Sequence, residues 1–375
     1  MESKGINISR GIYDIFISYE GGGDDVSIWF FDSTIILTFL ITIFNVFWLV
    51  WKKILMPPGG NRAFINAFII AGIACMASMP LFVRNMVPGI DIVFHMYRIE
   101  GIAQGLRMGQ FPIRMQPLWF DGQGYPVSVF YGDIFLYFPA LLRLFGFTIQ
   151  DAYKCYIFVI NLATAYISWQ CIRKMFHNNA VALAGSAFYT ISVYRLINIY
   201  VRAAVGEATA MTFFPLVVYG FWKIISRPNG EKQPPFNWLP LAAGYTGIIC
   251  SHMLSCEMVF AVTVLACVVF IRKVLQRDVF IALLKAVVST AALTAWMLVP
   301  FLDYMQDSYN ITAAPGYGLE ENAAFLGQIF GLYYSGVTNR YSLDLNSGTH
   351  NEMSMGVGFV LPLGAAIFIM LTIMY

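Results

Sequence analysis

Long apolar runs alternating with short basic loops set the pattern of this chain. Residues 33–51 carry no charge and end on Lys52 and Lys53. Further runs near the length that crosses a bilayer, about 20 residues, fall at 63–83, 152–172, 178–197, 207–225, 281–301 and 355–375. The stretch 236–271 is too long for one span. Its basic flanks and its polar centre, from Ser251-His252 to Glu257, predict a hairpin of two short spans.

One run needs a decision. Residues 130–145 are apolar but contain Asp133, Pro139 and Arg143 and end at Gly146. Counted as a span, they would carry Lys223 and Arg227 to the outer face. Read as a helix lying in the interface, they leave every short basic loop on one side. Those loops (52–62, 173–177, 223–235 and 272–280) hold Lys52, Lys53, Arg62, Arg173, Lys174, Lys223, Arg227, Lys232, Arg272, Lys273 and Arg277, against Glu231 and Asp278. The excess of positive charge assigns them to the cytoplasm.

The expected architecture is therefore an all-α polytopic membrane protein of about nine transmembrane helices. An extracytoplasmic N-terminal tail covers 1–31 and the membrane domain 32–375. Two large extracytoplasmic loops follow, at 84–150 and 302–354, the first carrying juxtamembrane helices. The last run stops at Tyr375 without a basic anchor, which suggests truncation at the C-terminus.

Composition agrees. Soluble domains are about half apolar and about a quarter charged; this chain is 58% hydrophobic, 16% aromatic and 12% charged. Too little polar surface remains to cover a water-soluble fold, so membrane lipids are its main surroundings. A net charge of +2 with no basic run points to no nucleic-acid partner. Cys75, Cys155, Cys171, Cys250, Cys256 and Cys267 lie almost all in apolar runs and lack metal-ligand spacing, which reads as buried thiols, with no metal site implied. No cleavable signal precedes the first apolar run.

Candidate chemistry gathers in the first outer loop, too aromatic for a disordered linker. After Pro88-Gly89, the residues Ile92, Met96, Ile99, Ala103 and Leu106 make one apolar helical stripe. Asp91, His95 and Arg98 share a neighbouring face, within about a sixth of a turn. An acid, an imidazole and a guanidinium thus project together until Gly109 and Pro112 stop the helix. Plainer duties fit each: Asp91 as a helix cap, Arg98 snorkelling to lipid phosphate. Trp119 and Tyr125 fit an interfacial belt more readily than a sugar-stacking platform. Elsewhere on the outer side, Arg195, Arg202 and Glu207 fall in a short loop, and His252 with Glu257 at the hairpin tip. Ionisable residues near the membrane are functional candidates, although Arg202 and Glu207 can simply pair.

The run Asp91-x-x-x-His95-x-x-Arg98, then Gly109-x-Phe111-Pro112-x-Arg114, Gly124-Tyr125-Pro126 and Phe130-Tyr131 resembles a bacterial group of polytopic proteins. These are the membrane proteins labelled 6-pyruvoyl-tetrahydropterin synthase-related, similar in plan to YfhO-type proteins and to the GT-C glycosyltransferase class. The resemblance extends from about residue 63 onward and includes Arg202…Glu207 and Ser251-His252. It implies a GT-C fold with an acidic base in the first outer loop and a polyprenyl-phosphate-linked sugar as donor. It does not imply pterin chemistry. Two departures stand out: the span 33–51 precedes the one leading into the loop, and Asp-x-x-x-His replaces the usual paired acidic motif.

The expectation is a membrane glycosyltransferase of the bacterial plasma membrane, acting extracytoplasmically on a glycan, lipid or protein acceptor. Asp91, His95 and Glu207 are the catalytic candidates. Arg98, Arg114, Arg202 and His252 are the candidates for substrate binding. A divalent metal is left open. The rival readings are a transporter or flippase for a lipid-linked or small anionic substrate, which needs broken helices with polar residues at mid-membrane, and a non-catalytic assembly partner.

Overall fold

The computed structural model describes residues 62–306 apart from 84, 87 and 229–233. The N-terminal tail, the runs 33–51 and 355–375 and nearly all of the loop 302–354 lie outside the described residues. What is described is mostly helical, with no strand; an isolated antiparallel bridge joins Gln116 to Tyr125. In chain order the helices are α1 Arg62–Ala77, α2 Ile92–Arg107, α3 Val127–Phe130, α4 Tyr137–Leu144, α5 Ile149–Phe176, α6 Asn179–Thr190 and α7 Val193–Tyr200. They continue as α8 Val205–Met211, α9 Phe214–Ile225, α10 Leu239–Ile249, α11 Met253–Val269, α12 Ile271–Val274 and α13 Arg277–Tyr304. Short 3-10 turns at Met79–Phe82 and Ile134–Leu136 follow α1 and precede α4.

Three stretches are long and apolar enough to cross a membrane: Ile149–Phe176, Val205–Ile225 and Arg277–Tyr304. A fourth is the pair α6–α7, bent by 42°. All four match predicted spans. The other apolar helices are shorter. With 11 residues, α10 rises about 16 Å, roughly half of a hydrocarbon core of about 30 Å. The chain is thus a helical membrane protein with several apolar helices.

Local sequence sets the helix ends. Thr148 caps α5 by accepting from the Asp151 backbone N–H, while its hydroxyl donates to the Asp151 carboxylate at 2.7 Å. His177, left-handed at φ 53°, ends α5, and the Asn178 side chain then caps α6. Pro215 and Pro240 open α9 and α10, where the missing N–H leaves no bond unmade. Close helix contact needs small residues: a side chain at Gly220 would place its Cβ 2.4 Å from the Leu241 backbone, so α9 and α10 pack nearly backbone to backbone.

Two ends of the bundle differ in chemistry. At one, Lys174 and Lys223 flank the Tyr219 ring at 5.6 and 6.0 Å, Lys273 donates to the Arg227 carbonyl, and Asn179 joins Asn66. This end collects the short basic loops. The opposite end carries α2, α3, α4 and the α7–α8 and α10–α11 turns. Its core is built from Ile92, Met96, Ile99 and Ala103 of α2 packed on Tyr153, Ile157 and Ile160 of α5, with Leu106 against the margin. The predicted apolar stripe is therefore the buried face. Along α11 and α13, Met258, Leu265, Leu284 and Val288 point outward, as lipid-facing residues do.

The run 130–145 is not one helix. It breaks at Tyr131–Asp133 between α3 and the 3-10 turn before α4, so it does not span. The break has a physical cause: the Arg98 guanidinium takes the Tyr131 and Gly132 carbonyls, at 3.2 and 2.7 Å, which a continuous helix would need. Glu100 then ties α4 to α2, accepting from Arg143 at 2.6 Å and from Arg107 at 3.2 Å. Arg195, expected in an outer loop, lies instead within α7. It is fully buried and donates to Asn161, Thr164 and the Thr190 carbonyl that the bend before α7 leaves free.

Candidate functional site

The site begins where the strand of chain before α2 meets the α7–α8 turn. Ile90 and Asp91 donate their backbone N–H groups to the Val201 and Arg202 carbonyls, at 3.0 and 2.8 Å. Gly89 permits this approach, because a Cβ there would lie 2.7 Å from that of Ala203. Asp91 is thereby held beside Arg202. It stands at the N-cap of α2, yet its carboxylate makes no capping bond, and no ion pair among the described residues includes it. A half-exposed carboxylate at a helix N-terminus, without a capping bond or ion pair among the described residues, keeps its lone pairs for something else. Capping does not account for it.

Glu207 is the opposite case. Its Oε1 accepts from the Tyr194 hydroxyl at 2.7 Å and from Asn198 at 2.8 Å, and its Oε2 from Arg202 at 2.8 Å. Arg202 also donates to Asn198 Oδ1 at 2.6 Å. The Arg202–Glu207 pair expected from the sequence is present. Its geometry fixes the Arg202 guanidinium, and about a third of the Arg202 side chain stays exposed, at 34%.

His95 and Arg98 are buried, at 1% and 0% exposure, so neither reaches a headgroup and Arg98 does not snorkel. Both nitrogens of His95 face donors. Arg98 lies 3.3 Å from Nδ1, and the Val205 N–H lies 3.3 Å from Nε2. A neutral imidazole accepts at one nitrogen only, and a protonated one accepts at neither. Burial, with the Arg98 cation next, holds His95 well below 6.5 and therefore neutral. Arg98 is committed to the Tyr131 and Gly132 carbonyls just after α3, with its Cζ 4.1 Å from the Tyr131 ring centre. Its Nε has no partner.

Tyr131 is the hub that sequence reasoning passed over. Its ring lies 5.8 Å from His95 and 5.7 Å from His252, and it senses the charges of Asp91, Glu207 and Arg202. Burial raises its hydroxyl above the ordinary value of 10.0. Gly206, at the start of α8, is shaped around it: a Cβ there would sit 2.4 Å from the phenol oxygen. His252 completes the ring. It caps α11 by accepting at Nδ1 from the Ser255 N–H, which leaves the proton on Nε2 as a donor. Glu257 is exposed on α11.

Arg114 stands elsewhere. Pro300 interrupts α13 and cannot donate to the Trp296 carbonyl; Arg114 does so instead, at 2.6 Å. Near it lies Asp133, also unforeseen, 2% exposed with Oδ2 unpartnered. Burial pushes its carboxyl up to about 6, against the opposing pulls of the Ser128 hydroxyl, Arg98 and Arg114. Between these groups Arg98, Gly132, Tyr156, Gly206, Thr209 and Ser251 line a small cavity, with room for about one water.

Asp91, His95, Arg98, Arg202, Glu207 and His252 are thus brought to one end of the bundle, around Tyr131. The motif Phe130-Tyr131 marked the place, but nothing in its spacing gave the phenol a central position. Among the described residues no group of three or more His, Cys, Asp or Glu is arranged to hold a metal ion.

No family model matches this chain, and no solved structure does. It is similar to a protein of Lactococcus lactis subsp. cremoris (strain MG1363) described as an uncharacterized protein, with 25% identity over 282 residues. The match covers 71% of this chain and 44% of that relative, so the chain spans less than half of the relative's length.

Proposed function

We propose that this is an integral membrane glycosyltransferase of the GT-C type, with about nine spans, acting at the extracytoplasmic face of a bacterial plasma membrane. The observation that carries the reading is the Asp91 carboxylate, which makes no capping bond and whose backbone pairs with that of Arg202, at the end of the bundle that also holds the fixed Arg202 cation, Tyr131 and His252. Sugar transfer from a polyprenyl-phosphate needs that combination. Asp91 accepts the proton of the acceptor hydroxyl as its oxygen bonds the anomeric carbon. The bond from that carbon to the phosphate oxygen breaks, its electron pair leaves with the phosphate, and the configuration inverts. Arg202 and the Nε2–H of His252 balance the charge that grows on the phosphate.

Other candidates take supporting positions. Glu207, acceptor of three hydrogen bonds, holds Arg202 in place. Buried, His95 and Arg98 brace Tyr131 and the start of α8. Arg114 anchors α13 to the loop.

The test is transfer by the purified protein in nanodiscs from a panel of polyprenyl-phosphate sugars. Asp91→Asn loses no internal bond and stays folded, while transfer falls by about a hundredfold or more. Wild-type transfer by that variant would sink the assignment. Transport finds one supporting feature, the bent α6–α7 pair with Arg195 buried beside the bend. Saturable uptake of a lipid-linked or small anionic substrate by liposomes, unaffected by Asp91→Asn, favours that reading instead.

A further inference from the structure

Beyond the reactive cluster, five rings form a continuous track across the outer surface of α2. Phe94 touches both centres: its ring lies 5.1 Å from His95 and 6.1 Å from Tyr131 on one side, and 5.6 Å from Trp119 on the other. Trp119 continues to Tyr97 at 5.6 Å and Tyr125 at 5.4 Å, and Tyr125 to Phe120 at 5.5 Å. All are half-buried except Phe120, which is 64% exposed.

The track is rigid. Trp119 Nε1 donates to Gln116 Oε1 at 3.0 Å, and the Gln116 amide donates to Ser128 at 2.9 Å. The backbones of Gln116 and Tyr125 exchange both N–H···O bonds, closing the turn. At its tip, Phe120 and Asp121 adopt φ of 54° and 56°, followed by Gly122 at 91°. Two adjacent non-glycine residues in the left-handed region cost stability, yet they turn the Phe120 ring and the exposed Asp121 outward together. A lipid-facing belt does not call for a carboxylate, Gln123 and two glycines at its tip.

We propose that this track is the acceptor subsite for a neutral oligosaccharide, so that the acceptor is a glycan. Pyranose rings offer apolar C–H faces to aromatic planes and hydroxyls at their edges. Pre-fixed rings bind such faces with little ordering cost, and Asp121, Gln123 and the Tyr97 and Tyr125 hydroxyls supply the polar rim. Phe94 joins the track to His95 and Tyr131 of the reactive cluster. The inference rests on the proposed transfer reaction, but saccharide binding is measured without any donor or turnover.

Saturation-transfer NMR on the protein in nanodiscs, with cello-, malto- and chito-oligosaccharides and galactan and rhamnan hexamers, provides the test. At least one is expected to bind saturably. Trp119→Ala should then weaken that binding about tenfold, equivalent to about 1.4 kcal/mol. Phe120→Gly, which relieves the left-handed strain as it removes the ring, should weaken it several-fold without lowering Tm. Absence of saturable binding across the panel overturns the inference. So does unchanged binding in both variants, or quenching of Trp119 by brominated lipid. Saccharide binding without transfer sustains the subsite and removes the transferase reading; transfer with an acceptor KM unmoved in both variants does the reverse.

Discussion

Asp133 offers the sharpest quantitative test of the site's electrostatics. Its carboxyl is 2% exposed, one oxygen has no hydrogen-bond donor, and burial raises it from 3.8 to about 6. A raised acid favours the native state while it is protonated: that contribution is complete below about pH 3.8 and is lost as pH rises through about 6. The difference of about two pH units corresponds to about 3 kcal/mol. Asp133→Asn keeps the shape and does not titrate. The stability of the variant relative to wild type should therefore rise by about 2.5 kcal/mol between pH 4 and pH 7.5, whatever constant offset the amide introduces. Unfolding by mixed-micelle titration at a series of pH values gives this difference directly. A difference that stays flat across that range would show that Arg98 and Arg114 fully compensate the charge, and that burial does not dominate.

Three further outcomes follow from packing and hydrogen bonding. Arg114→Ala should cost about 1–3 kcal/mol because it strands the Trp296 carbonyl; in a Pro300→Ala background the helix supplies its own donor and the cost should shrink, a coupling read by a double-mutant cycle. Glu100→Gln removes the acceptor shared by Arg107 and Arg143 and should destabilise by about 2 kcal/mol, given that both arginines are partly exposed. Equal Tm for variant and wild type would show that α2 and α4 are held by apolar contact alone. Gly132→Ala would put a Cβ 2.3 Å from the Cys250 backbone oxygen, so α3 must part from the α10–α11 turn. About 2 kcal/mol of lost stability and faster maleimide labelling of the buried Cys250, followed by mass spectrometry, should result; an unchanged labelling rate would refute the close approach.

The position of the site shows what chain order hides. Asp91 and Arg202 are far apart in sequence, yet the Asp91 N–H lies 2.8 Å from the Arg202 carbonyl. Helical spacing correctly put His95 and Arg98 on one side of α2. It could not say which way that side faces, because an amphipathic helix at an interface can turn its mixed face to water or to protein. The fold turns it inward, and Arg98 becomes an internal strut.

By itself the sequence determined the membrane class, the apolar stripe of α2 and the demotion of 130–145 from span to surface element. Each depends on local periodicity, the length of apolar runs or charge asymmetry, which are properties of neighbouring residues. Only the tertiary structure decided that Asp91 is free while Glu207 is fully engaged, that Arg195 is buried within a helix, and that Tyr131 lies at the centre. Those are questions of which donors and acceptors meet across distant segments, and a hydrogen bond between remote parts of a chain leaves no period in its sequence.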